Sequence, residues 1–255
     1  MIKRRFISVA LTSILSIVFI YFLGSPQPSS SLNQDESYQF IHVWVGLRLN
    51  LSNLLKSSCC ALLVTIILFL GPLVQSVMKG NAKYSLASEN KLDLLKDLIF
   101  WRNYIISPFT EEFVFRSCMI PLIMPHLGFT KTVLITPLFF GTAHLHHIIE
   151  GYCLNEQSLQ ALCYQHLFQF AYTYIFGAYS SYLFLRTGNF FASFLSHAFC
   201  NVMGFPNFSE VVNEFGGFHR IFLIVSYVTG FVSFFALVSM LTRPSFFENH
   251  LYDKF

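Results

Sequence analysis

Three ionisable side chains lie within six residues of an otherwise apolar stretch, at Glu111, Glu112 and Arg116. A charged side chain at the centre of a bilayer costs about 2.5–3.5 kcal/mol even on lenient insertion scales, so such groups face protein or trapped water. Residues four apart share a helix face, which places Glu112 over Arg116 and turns Glu111 about 100° away. The spacing predicts one neutralised carboxylate and one that is free to act as a general base or acid. An ion-pair network that only holds helices together is the alternative.

A second apolar segment ends in a histidine. It reads Phe140-Gly141-Thr142-Ala143-His144, and the small residues Gly141 and Ala143 allow a facing helix to approach closely. We therefore expect His144 to meet another helix. A hydrogen-bonding role without catalysis is the simpler reading of a single histidine.

A third apolar segment contains His197 and Asn201, which are four residues apart and so share one helix face. Both side chains can donate hydrogen bonds, as an oxyanion at an attacked carbonyl requires. Taken with the other two segments, this predicts a peptide hydrolase. Water would be activated by Glu111 with help from His144, and the oxyanion would be bound by His197 and Asn201.

Other protease chemistries find less support in the sequence. The chain has no His-Glu-x-x-His segment, and all four aspartates lie in connectors or the tail. Cys118 is two helical turns from Glu111, which is far for a thiol that needs that carboxylate as its base. Zinc held by Glu111, His144 and His197 stays open, because three such ligands and a water form a catalytic site. We expect a site without metal or cofactor.

Composition places these segments in a membrane protein. The 255 residues are 54% hydrophobic and only 11% charged, where about 25% charged is typical of a soluble domain. The net charge is +3, with the basic residues at the ends of apolar runs, so nucleic-acid binding is excluded. The six cysteines show no metal-ligand spacing.

The apolar runs predict an all-α, polytopic membrane bundle of about seven spans around an aqueous catalytic cavity. A span needs about 20 apolar residues. We predict a first transmembrane helix or signal anchor at 1–24, a loop and interfacial segment at 25–56, a catalytic transmembrane domain at 57–245 and a short tail at 246–255. A cleaved signal peptide is the alternative for the first run. The predicted spans are 6–23, 57–78, 105–124, 130–148, 161–185, 190–205 and 221–241.

Three ordered motifs on separate helices carry a family resemblance: Glu111-Glu112-x-x-x-Arg116, Phe140-x-x-x-His144 and His197-x-x-x-Asn201. On these motifs the chain resembles the type II CAAX prenyl endopeptidases, the Ras-converting enzymes, within the larger CPBP (ABI) group of membrane glutamate proteases. The resemblance runs from the first residues to the seventh predicted span. Members commonly carry one more amino-terminal span.

The resemblance implies removal of the last three residues of a farnesylated or geranylgeranylated CaaX tail at the endoplasmic reticulum membrane. Its partners would be membrane lipid and prenylated proteins such as Ras-like small GTPases. Glu111 and His144 would activate water, and His197 and Asn201 would bind the oxyanion. Glu112 and Arg116 would support the site or the carboxyl end of the substrate, and Phe140 would support the site. A proton-relay transporter or an inert scaffold of the same fold is the rival interpretation, and a proton relay does not require Asn201 beside His197.

Overall fold

The computed structural model describes residues 42–48, 50–80, 96–143, 152 and 158–251. Over these ranges the chain is helical and contains no strand. The helices are α1 (Leu51–Leu68), α2 (Leu70–Met78), α3 (Leu98–Trp101), α4 (Ser107–Glu112), α5 (Met119–Thr142), α6 (Leu159–Thr187), α7 (Phe190–Met203), α8 (Phe208–Asn213) and α9 (Gly217–Leu241). Two π-helical turns, Arg102–Ile106 and Phe113–Cys118, join α3 to α4 and α4 to α5, and a 3₁₀ turn, Pro244–Phe247, follows α9.

Three helical stretches in the described ranges are long and apolar enough to cross a membrane: Leu51–Leu68, Leu98–Thr142 and Gly217–Leu241. The shorter α7 is also apolar. Many large side chains of α9 point outward, including Phe218, Ile221 and Phe235, which suits a lipid environment. The prediction of an all-α membrane protein is confirmed. The count of seven spans and the aqueous cavity stay predictions, since the first predicted span and the end of the fourth lie outside the described residues.

The 45-residue stretch Leu98–Thr142 is bent at one glycine. Gly128 has φ 72° and ψ 175°, a conformation that glycine adopts without the steric cost of a side chain. The bend falls between the third and fourth predicted spans. It separates the helix that carries the glutamates from the helix that carries Phe140.

Helix α1 begins at Leu51, six residues before the predicted second span. Asn50 accounts for the earlier start, because its side-chain oxygen accepts the amide of Asn53 and caps the helix. The break after α1 lies at Phe69, just before Pro72, which has no amide hydrogen to donate. A side chain at Gly230 of α9 would meet the carbonyl oxygen of Ile67 at 2.7 Å, so α9 packs directly against this break.

A two-residue connection, Gly188-Asn189, joins α6 to α7. Gly188 ends α6 in the left-handed conformation, and the Asn189 side chain caps α7 by accepting the amide of Phe191. The hydroxyl of Ser193 on α7 then donates to the carbonyl of Ser180 on α6. The tight hairpin therefore places the middle of α6 beside the middle of α7.

Hydroxyl groups fasten this hairpin to α1. The Thr65 hydroxyl is hydrogen bonded to the hydroxyls of Tyr179 on α6, at 2.8 Å, and Ser196 on α7, at 3.1 Å. Polar contacts of this kind hold helices together where lipid supplies no hydrophobic driving force between them. Tyr179 and Ser196 come directly before Ser180 and His197 in the chain.

Candidate active site

The two glutamates end a short α-helix that has a π-helical turn on either side. Helix α4 supplies Glu111 and Glu112, and the flanking turns are Arg102–Ile106 and Phe113–Cys118. A π turn inserts an extra residue and leaves backbone groups without their usual partners, and such turns are frequent at functional sites. The local backbone is thus irregular on both sides of the carboxylates.

Glu112 is fully buried, and its carboxylate contacts an arginine, a serine and a histidine. Its Oε2 lies 3.2 Å from Nε of Arg116, and the Ser180 hydroxyl donates to the same oxygen. Its Oε1 lies 2.7 Å from Nδ1 of His197. The predicted pairing of Glu112 with Arg116 is confirmed. The contacts with α6 and α7 were not predicted.

Arg116 is enclosed as completely as its partner, with 1% of its surface exposed. Its NH2 group donates to the carbonyl of Gly177 at 3.2 Å, and its guanidinium lies 4.7 Å from the centre of the Phe140 ring. A cation over an aromatic face is stabilised by the ring quadrupole. A side chain at Gly177 would press on Pro137 at 3.0 Å, so glycine lets α6 come close enough for this contact.

Glu111 is the more accessible carboxylate, with 27% of its side chain exposed. The hydroxyl of Ser107, one turn earlier on α4, donates to its Oε1 at 2.6 Å. Its Oε2 lies 3.8 Å from Nε2 of His197. Glu111 is therefore held from within its own helix and faces the imidazole of another.

His197 lies between the two carboxylates. Its Nδ1 faces Glu112 and its Nε2 faces Glu111, while the Phe176 ring packs on the imidazole with a centroid separation of 4.6 Å. Adjacent helical residues point in directions about 100° apart. An imidazole that enters from a neighbouring helix can nonetheless contact both, because its nitrogens are on opposite sides of the ring. The sequence predicts the divergence of the glutamates but not this bridge.

Asn201 lies one turn beyond His197 on α7 and is solvent- or lipid-accessible. Its side-chain Nδ2 donates to the backbone carbonyl of Asn103 at 3.0 Å, in the first π turn. The amide nitrogen carries two hydrogens, so this bond occupies one donor and leaves the second. The carboxamide is thus anchored to the glutamate-bearing segment.

Two other residues were candidates for the active site on sequence grounds, His144 and Cys118. His144 lies outside the described residues. Cys118 is buried in an apolar cluster with Val45, Phe113 and Phe190, which is the surrounding of a packing residue and not of a reactive thiol.

The described residues contain no group of three histidine, cysteine, aspartate or glutamate side chains arranged to hold a metal ion. The zinc hypothesis needs His144 as a ligand, so it is untested by this arrangement.

Sequence reasoning missed three residues of the site. Ser107 could have been found, because it precedes Glu111 by four residues and so shares its face. Ser180 and Asn103 could not, since they meet Glu112 and Asn201 only through contacts between distant parts of the chain.

A buried acid, an accessible acid, an imidazole and a carboxamide are gathered on membrane-compatible helices, an arrangement that suits a membrane hydrolase. The comparisons with known proteins are specific. The pattern of the family described as "Type II CAAX prenyl endopeptidase Rce1-like" matches residues 95–203, which include every site residue named above.

Individual relatives match this chain over almost its whole length. The chain is 38% identical to "CAAX prenyl protease 2" of Homo sapiens, over 96% of this chain and 73% of the human protein. It is 33% identical to the Rattus norvegicus protein of that name, over 96% of this chain and 71% of the relative, and 31% identical to the Arabidopsis thaliana one, over 98% and 81%. No solved structure matches the chain significantly. The chain belongs to the type II CAAX prenyl endopeptidase family, so the resemblance and the peptidase class it implies are confirmed.

Proposed function

We propose that this protein is an endopeptidase of the endoplasmic reticulum membrane that removes the C-terminal tripeptide from prenylated CaaX proteins, including Ras-like small GTPases. The observation that carries the proposal is the placement of the His197 imidazole between Glu112 and the accessible Glu111. The family relatives supply the substrate class.

The reaction is a direct attack of water on the scissile carbonyl. Glu111 takes the proton that leaves the water, with help from His144. The oxygen of the attacked carbonyl becomes an oxyanion that accepts hydrogen bonds from His197 and Asn201. Glu111 then passes its proton to the leaving amine, which breaks the peptide bond and restores the carboxylate.

The contact with Glu112 defines the protonation that His197 needs. An ionised carboxylate only accepts hydrogen bonds, so Nδ1 of His197 must carry the hydrogen between them. His197 can therefore donate from Nε2 to an oxyanion only as an imidazolium. With Glu111, Glu112 and Arg116 ionised, the protonated imidazole makes the cluster neutral, and a paired cluster is far less costly to bury than an unpaired charge.

Glu112 and Arg116 act in support of this site. Both are almost wholly enclosed by protein, at 0% and 1% exposure, so they are poorly placed to contact the substrate's carboxyl end. Their role is to fix and charge-balance His197. Phe140 covers the guanidinium from the side of α5.

The test uses the protein reconstituted in lipid, a farnesylated CaaX peptide and its unprenylated twin. We expect tripeptide release from the prenylated peptide, with much less from the twin. Absence of release from the prenylated peptide by intact, folded protein would contradict the proposal.

The same assay distinguishes the metal-free mechanism from the zinc-dependent alternative. We expect a chelator to leave the rate unchanged, because the reacting groups are supplied by protein side chains. Activity that is lost on chelation and restored by zinc would overturn the metal-free mechanism and leave the substrate assignment intact.

A further inference from the structure

The carbonyl that anchors Asn201 belongs to the glutamate-bearing segment. In a regular α-helix the Asn103 carbonyl would accept the amide hydrogen of residue 107. Here the amide of Ser107 donates instead to the carbonyl of Arg102, five residues back, as expected for a π turn. The usual helical donor is therefore diverted from Asn103.

The next donor in the π-helical pattern would be the amide of residue 108, five positions after Asn103. Residue 108 is a buried proline, and proline has no amide hydrogen. The α-helical and π-helical donors to this carbonyl are therefore both missing. The carbonyl is instead satisfied by Nδ2 of Asn201 at 3.0 Å.

We propose that Pro108 is a positioning residue for Asn201. By withholding an amide hydrogen, Pro108 keeps the Asn103 carbonyl open as an acceptor. The carbonyl binds one hydrogen of the Asn201 carboxamide, and this orients the second hydrogen toward the oxyanion. The inference rests on the proposed function and adds a device that sets the geometry of its oxyanion site.

The test compares Pro108→Ala with wild type in the reconstituted peptide assay. Alanine restores an amide hydrogen that competes with Asn201 for the Asn103 carbonyl. Removal of an oxyanion donor typically lowers kcat about 10²–10³-fold. Because displacement leaves the carboxamide present, we expect a smaller loss for Pro108→Ala, about tenfold in kcat, with KM unchanged.

The matched control is Pro125→Ala, which also removes a proline from a helix interior but lies in α5. It should keep the wild-type kcat. A rescue separates the amide hydrogen from the proline ring: lactic acid placed at position 108 by nonsense suppression has the shape of alanine but no amide hydrogen. It should restore most of the wild-type kcat.

A double-variant cycle tests whether Pro108 acts through Asn201. In an Asn201→Ala background, Pro108→Ala should cause no further loss. An equal loss in both backgrounds, or failure of lactic acid to restore kcat in folded protein, would overturn the inference. A wild-type kcat for Pro108→Ala alongside an impaired Asn201→Ala would overturn it as well, while the proposed function would stand.

A second variant keeps Pro108 and covers the case in which Pro108→Ala fails to fold. Replacing Tyr104 by its α-hydroxy analogue turns the Asn103 carbonyl into an ester carbonyl, a weaker acceptor. We expect kcat to fall in the wild-type background and not in Asn201→Ala, and equal falls would contradict the inference. If Asn201→Ala itself has full activity, the oxyanion role in the proposed function is wrong.

Discussion

Nδ1 of His197 lies 2.7 Å from Oε1 of Glu112, although the two residues are 85 positions apart in the chain. The contact joins α7 to the end of α4. A carboxylate that accepts from Nδ1 requires a hydrogen on that nitrogen and fixes how the ring is turned. It thereby aims the other nitrogen, Nε2, at Glu111.

Ser180 offers a way to weaken this arrangement without removing a charge. Its hydroxyl donates to Glu112, and a hydrogen bond to a charged group contributes about 1.5–3 kcal/mol. We expect Ser180→Ala to lower both the free energy of unfolding and kcat, because Glu112 then holds His197 less firmly. Unfolding in detergent and peptide cleavage measure the two effects.

The neighbouring Ser181 is the matched control. It is equally buried, but its hydroxyl bonds Thr136 on α5 and not a site residue. Ser181→Ala should destabilise the protein while kcat stays near wild type. If both variants lower kcat alike, Ser180 acts only through general stability.

Glu112→Gln should be more harmful than Ser180→Ala. It leaves Arg116 buried without its counter-charge, and breaking a buried ion pair costs about 3–5 kcal/mol. We expect a large fall in the midpoint of thermal unfolding together with loss of cleavage. A variant that is as stable as wild type would show that the Glu112–Arg116 pair does not stabilise the bundle.

Ser107 holds the accessible carboxylate, through a hydrogen bond of 2.6 Å to Oε1 of Glu111. Ser107→Ala should lower kcat about tenfold, or about 1.4 kcal/mol, close to the lower end of what a hydrogen bond to a charged group contributes. The fold should be little affected, because neither group is fully buried. Steady-state kinetics on the farnesylated peptide measure the effect.

Thr110 gives a comparison on the same helix. Its hydroxyl bonds the backbone carbonyls of Ile106 and Ser107 and contacts neither carboxylate. Thr110→Ala is expected to keep kcat. Equal kinetics for Ser107→Ala and wild type would mean that Glu111 needs no support from its own helix.

Spacing along one helix was enough to predict part of this site. Glu112 and Arg116 are four residues apart and do pair, even though the intervening turn is π-helical. The bend at Gly128 likewise falls where the apolar runs suggested two helices. Such features depend on neighbours in the chain, so helical periodicity captures them.

The contacts between helices could not be predicted from the sequence in the same way. No pattern near Glu112 indicates that Ser180 and His197 will meet it, since that depends on the length of the Gly188-Asn189 connection and on how α6 and α7 pack. The π turn at Arg102–Ile106 was also missed. Pro108 alone predicts a helix start or kink and does not specify an extra residue in the preceding turn.

A charge cluster outside the three apolar stretches predicts a pH-dependent stability. Lys79 lies 2.6 Å from Glu210 and 2.8 Å from Glu214, and this fastens the end of α2 to α8. The hydrogen bond from Lys79 lowers the pKa of the Glu210 carboxyl below its ordinary value of 4.5. The stabilisation is therefore fully present above pH 4.5 and is lost as the pH falls through the lowered pKa of the folded state.

The check is the free energy of unfolding of wild type and Glu210→Gln as a function of pH. We expect wild type to be more stable at neutral pH, and the difference to vanish in acid. Salt should reduce the difference at neutral pH because the pair is near the surface. A difference that persists unchanged at acid pH would contradict the assignment.

The central claim is that Glu111 activates the attacking water. The most direct measurement is the rate of tripeptide release from a farnesylated CaaX peptide by reconstituted Glu111→Gln, compared with wild type and alongside thermal unfolding. Loss of the general base should slow release by about 10²–10⁴-fold. The unfolding midpoint should stay close to that of wild type, since 27% of the Glu111 side chain is exposed. Release at the wild-type rate from folded Glu111→Gln would contradict the account.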